Sequence, residues 1–166
     1  MKSTYEKMGY DESRQIESAL RMAKRKALRT PSHAYAYSVT SGNLKGIFIN
    51  NKFKAPELIS SIKRDIASNF HPLGITNEIK SIFDHEMGHQ LSDLVKASSN
   101  SEIKDLFIDV SKRDAFKSEI SGYASKNISE FIAESWSEFR NSPTPRPIAK
   151  KVGSILTSLY SEMFGG

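Results

Sequence analysis

The chain has no cysteine among its 166 residues. Disulfides, thiolate nucleophiles and cysteine-based zinc sites are therefore excluded, and any metal must be held by His, Asp or Glu. Long apolar runs are also missing. No segment approaches the roughly 18 residues needed to cross a bilayer, and the first twenty residues lack the apolar centre of a signal peptide. With 38% hydrophobic and 26% charged residues, the expectation is a soluble protein with no membrane partner. This length suits one domain, residues 1–166, around one core. There is no internal repeat and no low-complexity tract.

Acids are outnumbered, 19 against 24 Lys and Arg, for a net charge of +5. The densest basic run, RMAKRKALR at 21–29, carries Arg21, Lys24, Arg25, Lys26 and Arg29 with no acid between them. Ile16, Leu20, Ala23 and Ala27 form an apolar stripe through the same region, which predicts a basic N-terminal helix within residues 1–30 with a solvated charged face. No nucleic-acid reading motif or aromatic platform accompanies it, so nucleic acid is not an expected partner.

Pro31 stops that helix. AYAYSVT and LKGIFIN, on either side of Ser41-Gly42-Asn43, read as two strands of a hairpin. Ala55-Pro56 opens a helix carrying Leu58, Ile59, Ile62 and Ile66, which ends before the His71-Pro72-Leu73-Gly74 turn. Ile79, Ile82, Phe83, Met87, Leu91 and Leu94 predict the next helix. Ile103, Leu106, Phe107 and Val110 predict another, and NISEFIAESWSEF a further one after Ser121-Gly122. Beyond Pro143, Pro145 and Pro147, a C-terminal amphipathic helix is expected over 148–164. The fold class is α+β, mostly helical with a small β-sheet.

Within the helix outlined by Ile79 to Leu94 stands H-E-x-x-H: His85, Glu86 and His89. Residues i and i+4 lie about 40° apart around a helix axis and one turn along, so both imidazoles can aim at one zinc ion with Glu86 beside them. Gly88 inside a helix costs about 0.5 to 1 kcal/mol relative to Ala, which suggests close backbone packing there. A catalytic zinc commonly takes a third protein ligand. The metzincin pattern would need glycine at Ser92 and histidine at Val95, so that class is excluded. Asp93 lies on the same straight helix and converges poorly with the two histidines; it suits orienting a histidine or facing solvent. The acidic stripe Glu130, Glu134 and Glu138 offers three further choices, and spacing does not select among them. Glu134 and Glu138 read equally as solvated helix residues. Asn127 with Glu130 also fits an N-x-x-E capping box, and Tyr123 fits a half-buried aromatic. His71 reads as a turn residue and His33 as a strand-edge residue.

GYASKNISEFIAESWSEF resembles the Y-x-x-x-x-x-x-E-F-x-A-E segment of anthrax-lethal-factor-like gluzincin metallopeptidases. Related H-E-x-G-H domains occur in phage head or structural proteins, and GIFINNKF, FHPLG and the H-E-x-G-H segment look like those members. The resemblance spans residues 44–140 and implies a zincin-like fold with H-E-x-x-H on the active-site helix. It implies Zn2+ held by His85, His89 and Glu130, with Glu134 supporting the site from behind. Tyr123 would point at the reacting carbonyl and Glu86 would act as general base. The implied activity is a zinc-dependent endopeptidase that hydrolyses peptide bonds with zinc-activated water. Its partner would be an extended peptide or protein substrate, paired with the strand GIFIN at the upper edge of the cleft. The alternative is a phage virion or assembly module that keeps the zincin fold with little or no protease activity, and binds phage structural proteins. A cytoplasmic or virion-associated location accords with either.

Overall fold

A computed structural model describes residues 34–42, 45–50 and 52–165. The expected basic helix and His33 lie outside them. The described chain is mostly helical with a two-stranded antiparallel sheet, as the α+β reading requires. Strands β1, Ala36–Val39, and β2, Gly46–Ile49, pair from Ala36 opposite Ile49 to Val39 opposite Gly46. Tyr37 and Phe48 face each other across the ladder with stacked rings, their centroids 5.0 Å apart, which fixes the register through a cross-strand aromatic pair. Both strands are shorter than the sequence pattern suggests. Beyond them, Asn50 ties the hairpin ends through its backbone N–H to Tyr35 O and its Nδ2 to Ala34 O, each at 2.9 Å.

Six helices follow. Helix α1, Ala55–Ala67, opens with Pro56 in its first turn, where a missing N–H costs nothing. Helix α2 is Glu78–Leu94, α3 Ser101–Lys112, α4 Phe116–Glu119, α5 Ile128–Asn141 and α6 Pro147–Phe164. Asn77, Asn100 and Asn127 cap α2, α3 and α5, each accepting a backbone N–H three residues on. Gly165 closes α6 with φ 64°, the left-handed cap that glycine adopts most easily. The one-turn α4 and the 3-10 turns Ala97–Ser99 and Tyr123–Lys126 are too short to show a hydrophobic period in sequence.

The apolar core is built where α3, α5 and α6 meet. Ile103, Val110, Phe131, Ile132, Val152 and Leu156 are fully buried there. Phe107, Phe116 and Phe131 form a triangle of rings with centroids 5.3 to 6.1 Å apart. Full burial of one such side chain contributes about 1.5 to 3 kcal/mol.

Helix α2 packs differently from the face its apolar residues outline. Ile79 and Phe83 are exposed, and the buried residues are Ser81, Asp84, His85, Glu86, Gly88, Gln90 and Ser92. This polar face lies against α5, where Ser137 Oγ donates to Ser81 O and Asn141 Nδ2 to Asp84 Oδ2, both at 2.8 Å. Gly88 sets the approach: a Cβ there would stand 2.9 Å from Ala133 Cα and 3.3 Å from Trp136 Cβ. The sequence expectation of close backbone packing at Gly88 holds, and the neighbour is the helix that carries Glu130.

Glu138 is 1% exposed and its carboxylate is gripped by Arg146, whose Nε and Nη2 donate at 2.8 to 3.1 Å. The same guanidinium donates to the carbonyls of Ser118 and Ile120. Glu138 is thus a structural partner that ties α5 to the start of α6, not a solvated residue and not a candidate ligand.

Candidate metal centre

The first turn of α5 and the middle of α2 face each other across Gly88, and this brings His85, His89 and Glu130 together. Glu130 Oε2 lies 3.2 Å from Nε2 of His85 and 3.2 Å from Nε2 of His89. It is buried and has no hydrogen-bond partner. A buried carboxylate oxygen without an aligned hydrogen bond is costly, and the cost is offset either by charge on the two imidazoles that face it or by an ion that binds all three. Tetrahedral coordination with bonds of about 2.0 to 2.1 Å puts neighbouring ligand atoms about 3.3 Å apart, so the two Glu130–His distances of 3.2 Å suit a group that could hold a metal ion.

The outer nitrogens fix the inner ones. His89 Nδ1 is 2.9 Å from Ser129 Oγ, and His85 Nδ1 lies 2.7 Å from Glu134 Oε1, close but without an aligned hydrogen bond. With the Nδ1 atoms beside these neighbours, both Nε2 atoms face Glu130 Oε2, the orientation that metal-ligating histidines adopt. Glu134 is fully buried, with Oε2 accepting from Ser121 Oγ at 2.7 Å and Oε1 in contact with His71 Nδ1 at 2.9 Å. It too is not the solvated residue that a helix-surface reading suggests.

Capping at Asn127 is one-sided. Its side chain accepts from Glu130 N at 3.0 Å, but the Glu130 carboxylate turns to the histidines instead of returning to Asn127. The cap therefore positions the carboxylate that it would otherwise occupy.

Charges follow the geometry. Burial works against a charged His85, and contacts with Glu130 and Glu134 override it, raising its pKa to about 10. Burial likewise opposes ionisation of Glu130, but His85 and His89 hold its carboxyl well below the usual range. For Glu134 burial is outweighed by His71 first and His85 second, again lowering it. Glu86 goes the other way: burial pushes its pKa up, with His85 and His89 only partly opposing. Burial also raises Tyr123, against a hydrogen bond from Lys126 Nζ to its hydroxyl at 3.1 Å.

These groups open into a cleft of about 740 Å³ that His85, Glu86, His89, Tyr123 and Glu130 line together. The Tyr123 ring centroid is 6.0 Å from that of His85. Asp93 lines the cleft near Lys96, at 3.5 Å, apart from the His-His-Glu group. The strand beside the cleft is β1, not GIFIN: Ala36, Tyr37 and Ser38 line it, and β2 lies behind. Gln90, one residue past His89, anchors that strand by donating to Ser38 Oγ at 2.6 Å and Val39 O at 2.9 Å.

Sequence reasoning missed His71, Ser121, Ser129 and Gln90. For His71 the signals were scarcity, one of four histidines, and its place in FHPLG; Glu134 is 63 positions away. The serines and Gln90 carry no signal, because ordinary polar residues become informative only when tertiary structure buries them. Among the described residues no helix is long and apolar enough to cross a membrane. No family model matches the chain, and no curated protein or solved structure matches it either.

Proposed function

We propose that the chain is a zinc-dependent endopeptidase with a zincin-like fold, of the lethal-factor-like gluzincin kind. The observation that carries this reading is Glu130 Oε2, buried without a hydrogen-bond partner between two inward-turned Nε2 atoms. His85, His89 and Glu130 would hold the metal, with Glu134 and Ser129 orienting the two imidazoles. Zinc in that position supplies Lewis acidity, bringing the pKa of a coordinated water toward neutrality and polarising a peptide carbonyl.

The remaining steps belong to the side chains. Glu86 follows His85 in the cleft wall, and its raised pKa suits a group that both takes and returns a proton. It accepts a proton from the attacking water and passes it to the amine nitrogen as the C–N bond breaks. Tyr123 donates its hydroxyl proton in a hydrogen bond to the carbonyl oxygen as negative charge develops there. Lys126, bonded to that hydroxyl oxygen, leaves the hydroxyl hydrogen free to donate. The hydrogen bond from Asn50 N to Tyr35 O sets the alternation along β1, so that Ala36 and Ser38 turn their backbone groups away from β2. An extended substrate would add along this edge.

The test is an unbiased peptide library digested by the purified chain. Cleavage is expected, abolished by a chelator and restored by zinc. No cleavage from a chain carrying full zinc would favour the phage assembly-module reading instead.

A further inference from the structure

We propose that His71 is a substrate-contacting residue of this same site, its Nε2 meeting the reacting carbonyl group beside Tyr123. The inference rests on the hydrolase reading above. His71 follows the left-handed residue Asn69, at φ 54°, that ends α1, and its segment is tied directly to the tyrosine. Gly122 N donates to Asn69 O at 2.8 Å, and Tyr123 N to Phe70 O at 3.0 Å. These two bonds set the His71 and Tyr123 rings 5.6 Å apart, with Phe70 packed against both.

The two nitrogens of His71 have different surroundings. Nδ1 is fixed at 2.9 Å from the buried carboxylate of Glu134. Nε2 has no partner among the described residues, and the ring lines the cleft with a side-chain exposure of 12%. One carboxylate oxygen thus faces two imidazoles: His85, whose Nε2 faces Glu130, and His71, which lines the cleft. A histidine needed only to fill a turn would not require a fully buried glutamate shared with a proposed metal ligand. With Nδ1 held by Glu134, Nε2 is the ring nitrogen left for a substrate group beside the Tyr123 ring.

Two substitutions separate contact from support. His71→Asn puts an amide near the place of Nδ1, keeping a donor for Glu134 while removing Nε2. His71→Gln puts its amide near the place of Nε2 instead. Each zinc-loaded variant is compared with the parent for zinc content and for affinity toward a pool of capped phosphinic tetrapeptides, which mimic the tetrahedral state. Affinity for the matching uncleaved or product peptides is measured beside it. In His71→Asn, full zinc and unchanged peptide affinity are expected, with phosphinate affinity falling about 10² to 10³-fold; His71→Gln should recover part of that loss. Phosphinate affinity in His71→Asn within threefold of the parent overturns the inference. So does loss of zinc in both variants, which would make the ring a support for His85 alone. A parent that takes up no zinc and binds no phosphinate overturns the hydrolase reading, and this inference with it.

Discussion

Glu86→Gln is expected to retain zinc and to lose peptide hydrolysis by about 10² to 10⁴-fold, the range for removing a general base. The side chain is 6% exposed and beside, not within, the His-His-Glu group, so the isosteric amide leaves the proposed ligands in place and takes away only the proton acceptor. Tyr123→Phe is the companion experiment. It is also expected to keep zinc and to slow hydrolysis by about 10² to 10³-fold through loss of the proposed oxyanion donor. The checks are zinc content and kcat/KM on one library-derived peptide, with thermal unfolding to confirm the fold. Comparable kcat/KM in Glu86→Gln, with contaminating protease excluded, would contradict the assigned water activation.

Arg146→Ala has the largest expected effect on stability. It leaves the Glu138 carboxylate, 1% exposed, without its bidentate partner and strips hydrogen bonds from the carbonyls of Ser118 and Ile120. Removing one member of a buried ion pair costs about 3 to 5 kcal/mol. For a chain of this size that corresponds to a fall in Tm of about 6 to 20 °C. Thermal unfolding at fixed zinc concentration measures it, and a Tm within about 2 °C of the parent would contradict the structural role assigned to this pair. Glu138→Gln should cost less, because the amide oxygen still accepts from Arg146 and no buried charge is stranded.

Helices were the legible part of the fold. Their apolar spacing, with Asn127 before α5 and the prolines near the starts of α1 and α6, marks α1, α2, α3, α5 and α6, and the hairpin shows in the turn residues between two β-rich runs. Helix α2 shows where that reading stops. Its apolar residues predict a helix, yet Ile79 and Phe83 are exposed and the buried face carries Asp84, His85, Glu86 and Gln90. Periodicity reports which residues avoid water, and a site burying polar groups against partners from another helix reverses the pattern. H-E-x-x-H was readable because both histidines belong to one helix turn. The choice of Glu130 over Glu134 and Glu138 was not readable from spacing, since residues i, i+4 and i+8 share a face until tertiary contacts assign each a different partner. Those partners are the two histidines for Glu130, His71 with Ser121 for Glu134, and Arg146 for Glu138. His71 does lie in the turn after α1 and outside the His-His-Glu group, as expected, but its contact with Glu134 was not readable because that partner is far away in sequence.

The most direct measurement is elemental analysis of protein purified without added metal, the parent beside Glu130→Ala. The account predicts one zinc per chain in the parent and zinc lost or greatly weakened in the variant, with both proteins folded, because the substitution removes the oxygen that faces both Nε2 atoms. Full zinc occupancy in Glu130→Ala, or a folded parent that cannot be loaded with zinc at all, would contradict it.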